Sequence, residues 1–180
     1  AFAFKDILYA KSGPRATVTL NRPKVHNCLN FPTMRELIRA FEDASWDDAI
    51  RGVVVTGAGD KAFSAGGDFH AMMRLNRANA HMWNDRMLAL AMTIRGLPIP
   101  VIAMVNGWCM GGGHELALWC DLVIASDDAV FGQTGAKVGA CPTVGATQYL
   151  PRLIGERLAR EMIFLCRTFF FEGLSWFLLV

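Results

Sequence analysis

The sequence predicts an α/β domain. Two observations carry that reading: short apolar, β-branched runs alternate with segments whose apolar residues recur at helical spacing, and glycine-rich loops follow the strand-like runs directly. Ala16 to Leu20 reads as a strand, stopped by the turn Asn21-Arg22-Pro23. A helix then starts at Thr33, with Glu36 three residues later completing a capping box. Met34, Leu37, Ile38 and Phe41 fall on one face of it and form a core stripe. Val53-Val54-Val55 has the look of a strand covered on both faces. A loop of glycine and small residues, 57–68, follows. The next helix spans Ala80 to Arg95, with Trp83, Met87, Leu90, Ala91 and Ile94 on one stripe. Ile99 to Val105 is a strand with Pro98 and Pro100 at its entrance, where a missing N–H is tolerated. Gly111-Gly112-Gly113 opens a helix through Trp119, Leu122 to Ala125 and Ala129 to Phe131 are short strands, and a helix covers Glu156 to Cys166.

Composition narrows the class. With 180 residues, 53% of them hydrophobic and 19% charged, the chain can bury one domain's core, which excludes disorder and coiled coil. A net charge of +2, from 18 basic and 16 acidic residues, is too small for a nucleic-acid partner. Five cysteines without a C-x-x-C pair fit a reducing, cytoplasmic compartment better than a disulfide framework or a zinc site. No run approaches the ~20 apolar residues of a membrane span. Lys5 and Asp6 interrupt the apolar N-terminus, which argues against a signal peptide. The chain ends on Phe169-Phe170-Phe171 and then Trp176 to Val180, with no polar tail, and reads as a single domain cut at its C-terminus.

The chemistry concentrates in two strand–glycine–helix junctions, Ser64-Ala65-Gly66-Gly67-Asp68-Phe69 and Met110-Gly111-Gly112-Gly113-His114-Glu115. Such junctions leave backbone N–H groups free at a helix start, and glycine lets a ligand atom approach them closely. Two of them on neighbouring strands can point two N–H groups at one oxygen, forming an oxyanion hole. Glu115, in the first turn after the second loop, is placed to act as general acid or base. Other readings fall away. Position 118 is Leu, so His114-Glu115 is no H-E-x-x-H metal site, and none is expected. Gly57-Ala58-Gly59 lacks the ending of a phosphate loop, Ser64 lacks the glycines of a nucleophile elbow, and Asp68 reads as a brace of its own loop.

Taken together, Ile102-Ala103-x-Val105-Asn106-Gly107-x-x-x-Gly111-Gly112-Gly113-His114-Glu115, running on to Leu118-x-Cys120-Asp121-Leu122, resembles the signature of the enoyl-CoA hydratase/isomerase (crotonase) family. Leu20-Asn21-Arg22-Pro23 with Asn27, Ser64 to Asp68, Phe131-Gly132-Gln133 and Gly155 to Arg167 agree with it in order. The resemblance implies a spiral of β-β-α turns, here without the family's C-terminal helical segment. It implies assembly into trimers or hexamers, and an acyl-CoA substrate that brings coenzyme A with it, with no separate cofactor. By position, the donors to the thioester oxygen would be the N–H groups of Gly67 and Gly112. CoA would lie near Val25, His26 and Cys28, with Ala65, Gly66, Asp68 and Phe69 beneath it and Met110, Gly111 and Gly135 completing the set. Lys24 is either a phosphate contact or a solvated surface lysine.

One departure matters. The second catalytic glutamate of the hydratases should follow Gln133 as Pro-Glu, but the residues are Thr134-Gly135. The run Gly132 to Gly139 is instead similar to dihydroxynaphthoyl-CoA synthase and the alicyclic oxoacyl-CoA hydrolases, whose later aspartate would fall near Pro142 and is also missing. The expectation is a hydratase/isomerase-type enzyme working through a thioester enolate. The alternatives are a ring-opening hydrolase of a cyclic 3-oxoacyl-CoA and a non-catalytic acyl-CoA-binding homologue.

Overall fold

A computed structural model describes residues 3–170. The apolar residues at 171 and beyond lie outside that range. A first strand, β1 (Ile7–Ser12), carries no alternation a sequence reading could use, because all but Ile7 are exposed or half-buried. It pairs antiparallel with β2 (Arg15–Leu20), and from there every neighbour in the sheet is parallel: β3 (Gly52–Gly57), β5 (Val101–Val105) and β7 (Leu122–Ala125), in the order β1-β2-β3-β5-β7. A second sheet has the order β4-β6-β8-β9, from β4 (Ala62–Ser64), β6 (Trp108–Met110), β8 (Val130–Gly132) and the antiparallel β9 (Thr168–Phe170). Chain order therefore repeats one unit: a strand of the first sheet, a short strand of the second, then helix. This is the expected spiral of β-β-α turns.

The helices are α1 (Phe31–Ser45), α2 (Phe69–Met72), α3 (Ala80–Arg95), α4 (Gly112–Trp119), α5 (Ala146–Ile154) and α6 (Glu156–Phe164). The stripes expected on α1 and α3 are buried, with Ile38 only partly so. The α1 cap differs from the expected box. Asn30 accepts the Thr33 N–H at 2.9 Å, which frees Glu36 to receive the backbone N–H groups of Lys5, Asp6 and Ile7. A carboxylate that can anchor the incoming chain does more than one that closes its own turn. In β3 Val53, Val55 and Gly57 are buried, while Val54 stays half-buried; one face meets the core and the other does not. The sequence gives no sign of β4 or β6, since three residues are too few for a period. Helix α5 is hidden by Pro151 inside it, which reads as a break. Helix α6 ends at Phe164, two residues early, and Cys166 adopts a left-handed conformation (φ 52°).

Two asparagines stitch the loops that feed the second sheet. Asn27 is 1% exposed; it accepts from the Arg22 N–H and donates to the carbonyls of Ala58 and Ala62. Asn106 donates to the carbonyls of Gly57 and Gly59 in the same way. Helix α4 also approaches β4 too closely for a side chain: a Cβ on Gly113 would lie 2.3 Å from the Ser64 carbonyl oxygen and 2.7 Å from the Ser64 Cβ. Gly113→Ala must push the helix off the strand, so it is expected to lower the unfolding free energy by about 1–3 kcal/mol. For a domain of this size that is roughly 2–4 °C in Tm per kcal/mol. An unchanged thermal midpoint would contradict this packing.

Candidate active site

The two glycine loops meet backbone to backbone. A Cβ on Gly112 would lie 3.6 Å from the Gly67 nitrogen and 3.8 Å from the Gly66 Cα, and one on Gly66 would lie 3.1 Å from the Gly112 nitrogen. Among the described residues no hydrogen bond takes up the N–H of Gly67 or of Gly112, and both glycines are half-exposed. Gly112 opens α4, so its N–H lies outside the helix's own bonding pattern. Their neighbours are occupied. The Gly66 carbonyl accepts from Leu29 and the Asp68 N–H donates to Leu29, both at 2.7 Å, which holds the first loop against the segment after β2. In the second loop the Gly111 N–H donates to the Gly132 carbonyl at 2.9 Å.

Gln133 is a residue the sequence reading used only as part of a motif. It is 2% exposed, and its Nε2 donates to the Gly111 carbonyl at 3.3 Å. That carbonyl belongs to the same peptide unit as the Gly112 N–H, so a donor on one side fixes where the other points. Its signal in the sequence is its place in the motif, two residues before the position of the missing carboxylate.

Glu115 stands one turn after Gly112 on α4, on the same face. It is 4% exposed, and its Oε1 accepts the N–H of Val144 at 2.9 Å and of Ala146 at 3.2 Å. Burial pushes its carboxyl above the ordinary 4.5, and the two N–H donors pull against that without cancelling it. Beside it, His114 is fully enclosed against the Phe131 ring; burial lowers its pKa to about 4, so it is neutral near pH 7. No acceptor or donor meets its Nδ1 among the described residues.

The remaining expected residues fall into two groups. The segment from Val25 to Cys28 lies beside the first loop: the His26 carbonyl accepts the Ala65 N–H at 2.9 Å, and the His26 ring packs tilted against Trp108 with centroids 5.4 Å apart. Lys24 and Val25 are exposed on the turn before it, and Phe69 is exposed at the start of α2. Cys28 is half-buried; burial first and the Asp68 charge second raise its thiol pKa, which leaves no reactive thiolate. Asp68 braces its loop, pairing with Arg22 at 2.8 Å and capping α2 through the Ala71 N–H. Met110 and Gly111 carry the second loop into α4. Gly135 is the residue set apart: a Cβ there would lie 2.9 Å from the Ala140 carbonyl oxygen, so the turn is closed against a side chain.

A groove of ≈ 370 Å³ runs along α3 between Asn84 and Arg95, and Trp119, Val144 and Tyr149 form its other wall. Among the described residues no cluster of His, Cys, Asp and Glu could hold a metal, and no helix is long and apolar enough to cross a membrane.

The profile of the family described as enoyl-CoA hydratase/isomerase matches residues 13–175. The chain belongs to this family. Its fold is similar to that of the enoyl-CoA hydratase from Bacillus anthracis, with a TM-score of 0.92 and 33% identity over 98% of this chain and 69% of that one. It is similar to Pseudomonas aeruginosa DspI (TM-score 0.93, 34% identity, 100% and 74% covered). The enoyl-CoA hydratase from Thermoplasma volcanium matches as well (TM-score 0.90, 32% identity, 97% and 70% covered). The chain thus spans about two thirds to three quarters of these relatives' lengths.

The raised pKa of Glu115 makes a stability statement. The folded state holds the proton more tightly than the unfolded chain, so the contribution of this residue is fully present below pH 4.5 and is lost as pH rises through the folded value. Glutamine keeps an acceptor for Val144 and Ala146 without the buried charge. Glu115→Gln is therefore expected to be more stable than the parent at neutral pH, with the gap closing below about pH 4.5. His114 is common to both proteins and cancels. A gap independent of pH in paired urea titrations would contradict the assignment.

Proposed function

We propose that the protein is an acyl-CoA enzyme of the hydratase/isomerase type, in which the thioester oxygen is held by the N–H groups of Gly67 and Gly112 and Glu115 carries the protons. The observation that carries this reading is the pair of unoccupied N–H groups on two touching backbones, where a Cβ on Gly112 would lie 3.6 Å from the Gly67 nitrogen, one helical turn from a single buried carboxylate. As negative charge moves from the reacting carbon to the thioester oxygen, each fixed donor contributes about 3–4 kcal/mol to the transition state. Family membership supports the same substrate class.

The first reaction assigned is hydration of a 2-enoyl-CoA. Water adds through oxygen to C3 and electron density flows through C2 to the thioester oxygen. Glu115 takes a proton from the water and returns one to C2, which collapses the enolate. The same carboxylate can move a proton between C4 and C2 with no water, which is isomerisation. Its raised pKa suits both directions of transfer, since acid and base forms then lie closer to neutral pH. The closed turn at Gly135 favours a second reading, because the water must be placed without a second carboxylate. In that reading Glu115 takes a proton from a water as its oxygen attacks the ring ketone of a cyclic 3-oxoacyl-CoA. The carbon–carbon bond to C2 breaks, the thioester enolate leaves, and Glu115 returns the proton to C2.

Mass-spectrometric product analysis on crotonyl-CoA, a 3-enoyl-CoA and a cyclic 3-oxoacyl-CoA separates these. Gain of water on crotonyl-CoA with the thioester retained is the expected result. Gain of water with a new free carboxylate on the cyclic substrate would move the protein to the hydrolases, and no product from a folded, CoA-binding protein would leave a non-catalytic homologue. Glu115→Gln is expected to lower kcat by roughly 10²–10⁴-fold with little change in CoA affinity. Full turnover in that variant would remove Glu115 from the mechanism.

A further inference from the structure

Glu115 takes both of its hydrogen bonds from one short stretch, Val144 to Ala146, that leads into α5. That stretch follows an exposed loop, and Thr143 ties it to α3 only through an exposed contact to Asn84 at 3.2 Å. Something else must hold it. Trp119 lies one turn beyond Glu115 on α4, 1% exposed, and its indole Nε1–H donates to the Val144 carbonyl oxygen at 2.8 Å. Helix α4 therefore grips one residue twice: Glu115 receives the Val144 N–H and Trp119 gives to the Val144 C=O. Gly145 completes the clamp. Its φ of +123° excludes most side chains, and a Cβ there would lie 2.8 Å from the Tyr149 ring and 3.5 Å from Trp119 Nε1. Beyond it, the Gly145 carbonyl accepts the N–H groups of Gln148 and Tyr149, which polarises the peptide unit whose N–H is that of Ala146.

A buried indole needs an acceptor wherever it lies. What sets Trp119 apart is that its acceptor belongs to the residue that solvates the buried carboxylate. We propose that Trp119 is a positioning residue for Glu115: its N–H fixes the Val144 backbone so that the Val144 and Ala146 N–H groups converge on Oε1, which orients the carboxylate and sets its hold on a proton. The effect on reaction rests on the assignment of Glu115 as acid/base; the effect on the carboxylate itself does not. No charged side chain offsets the clamp: among the described residues the shift of Glu115 comes from burial and these two N–H donors. The other titratable groups on the surrounding elements are His114 on α4, Tyr149 and Arg152 on α5, and His81, Asp85, Arg86 and Arg95 on α3, of which Asp85 and Arg95 line the groove.

Trp119→Phe keeps an aromatic ring and removes the donor. The carboxyl of Glu115 is titrated by carbon-13 NMR of glutamate-labelled protein, its resonance assigned by its loss in Glu115→Gln. Weakening one charge-assisted bond is expected to move that titration upward by as much as about one pH unit. In parallel the acid limb of kcat/KM moves up, so activity falls roughly tenfold below the limb and little on the plateau. A Glu115 titration unchanged in folded Trp119→Phe, or a loss of activity equal at all pH values, would overturn the proposal. Absence of turnover in the parent would sink the acid/base assignment and leave the titration result standing. Should Trp119→Phe fail to fold, the parent protein still decides. The Trp119 indole N–H and the Val144 amide N–H are expected to exchange with solvent at similar, slow rates, and an indole that exchanges freely while the amide stays protected would overturn the clamp.

Discussion

The site depends on one constraint: the N-terminal end of α4 must touch the strand and loop of the preceding spiral turn with no side chain between them. Gly113 meets Ser64 at less than the distance any Cβ could occupy, and a Cβ on Gly66 would lie 3.1 Å from the Gly112 nitrogen. Any larger residue at either contact separates the two loops, and with them the two free N–H groups. The rest of the fold serves this approach. The parallel first sheet sets the rise of each turn, the short second-sheet strands aim the loops, and Asn27 and Asn106 fasten the loop backbones that precede them. The spiral is thus a device for bringing two strand–helix junctions into contact.

Around that contact the protein balances opposed electrostatic effects. Burial disfavours the charged form of Glu115, and two backbone donors favour it; the residue ends with a raised pKa and an acceptor geometry fixed by the chain entering α5. His114, next to it, is held neutral by the same burial and adds no charge to the site. Gln133 does for the Gly112 peptide what Trp119 does for the Val144 backbone, each being a buried side-chain donor that fixes a main-chain group rather than touching a substrate. A carboxylate kept partly unsatisfied in a dry setting costs stability at neutral pH, the usual trade between stability and activity.

Much of this was legible in the sequence. Helices with long apolar stripes, such as α3 with Trp83, Met87, Leu90 and Ile94, announce themselves because burial demands the period. The glycine loops and Glu115 were legible because their chemistry needs those residue types in that order. Strands β4 and β6 were not, because three residues within a glycine-rich stretch carry no pattern and are fixed by pairing with a neighbour distant in sequence. Helix α5 was masked by Pro151, a local signal overridden by packing on α4 and α6. The roles of Glu36 and Trp119 are tertiary throughout: each side chain bonds to backbone more than twenty residues away, a partner no spacing rule reveals.

The most direct test of enolate formation uses a substrate that can go no further. With butyryl-CoA in deuterated water, the hydrogens at C2 can exchange only if the thioester oxygen is stabilised as the carbanion forms and a base removes the proton. Deuterium uptake at C2, read by mass spectrometry, is expected with the parent protein and lost with Glu115→Gln. A folded protein that binds butyryl-CoA without any uptake, or uptake that persists undiminished in Glu115→Gln, would contradict the oxyanion hole at Gly67 and Gly112 served by a single carboxylate.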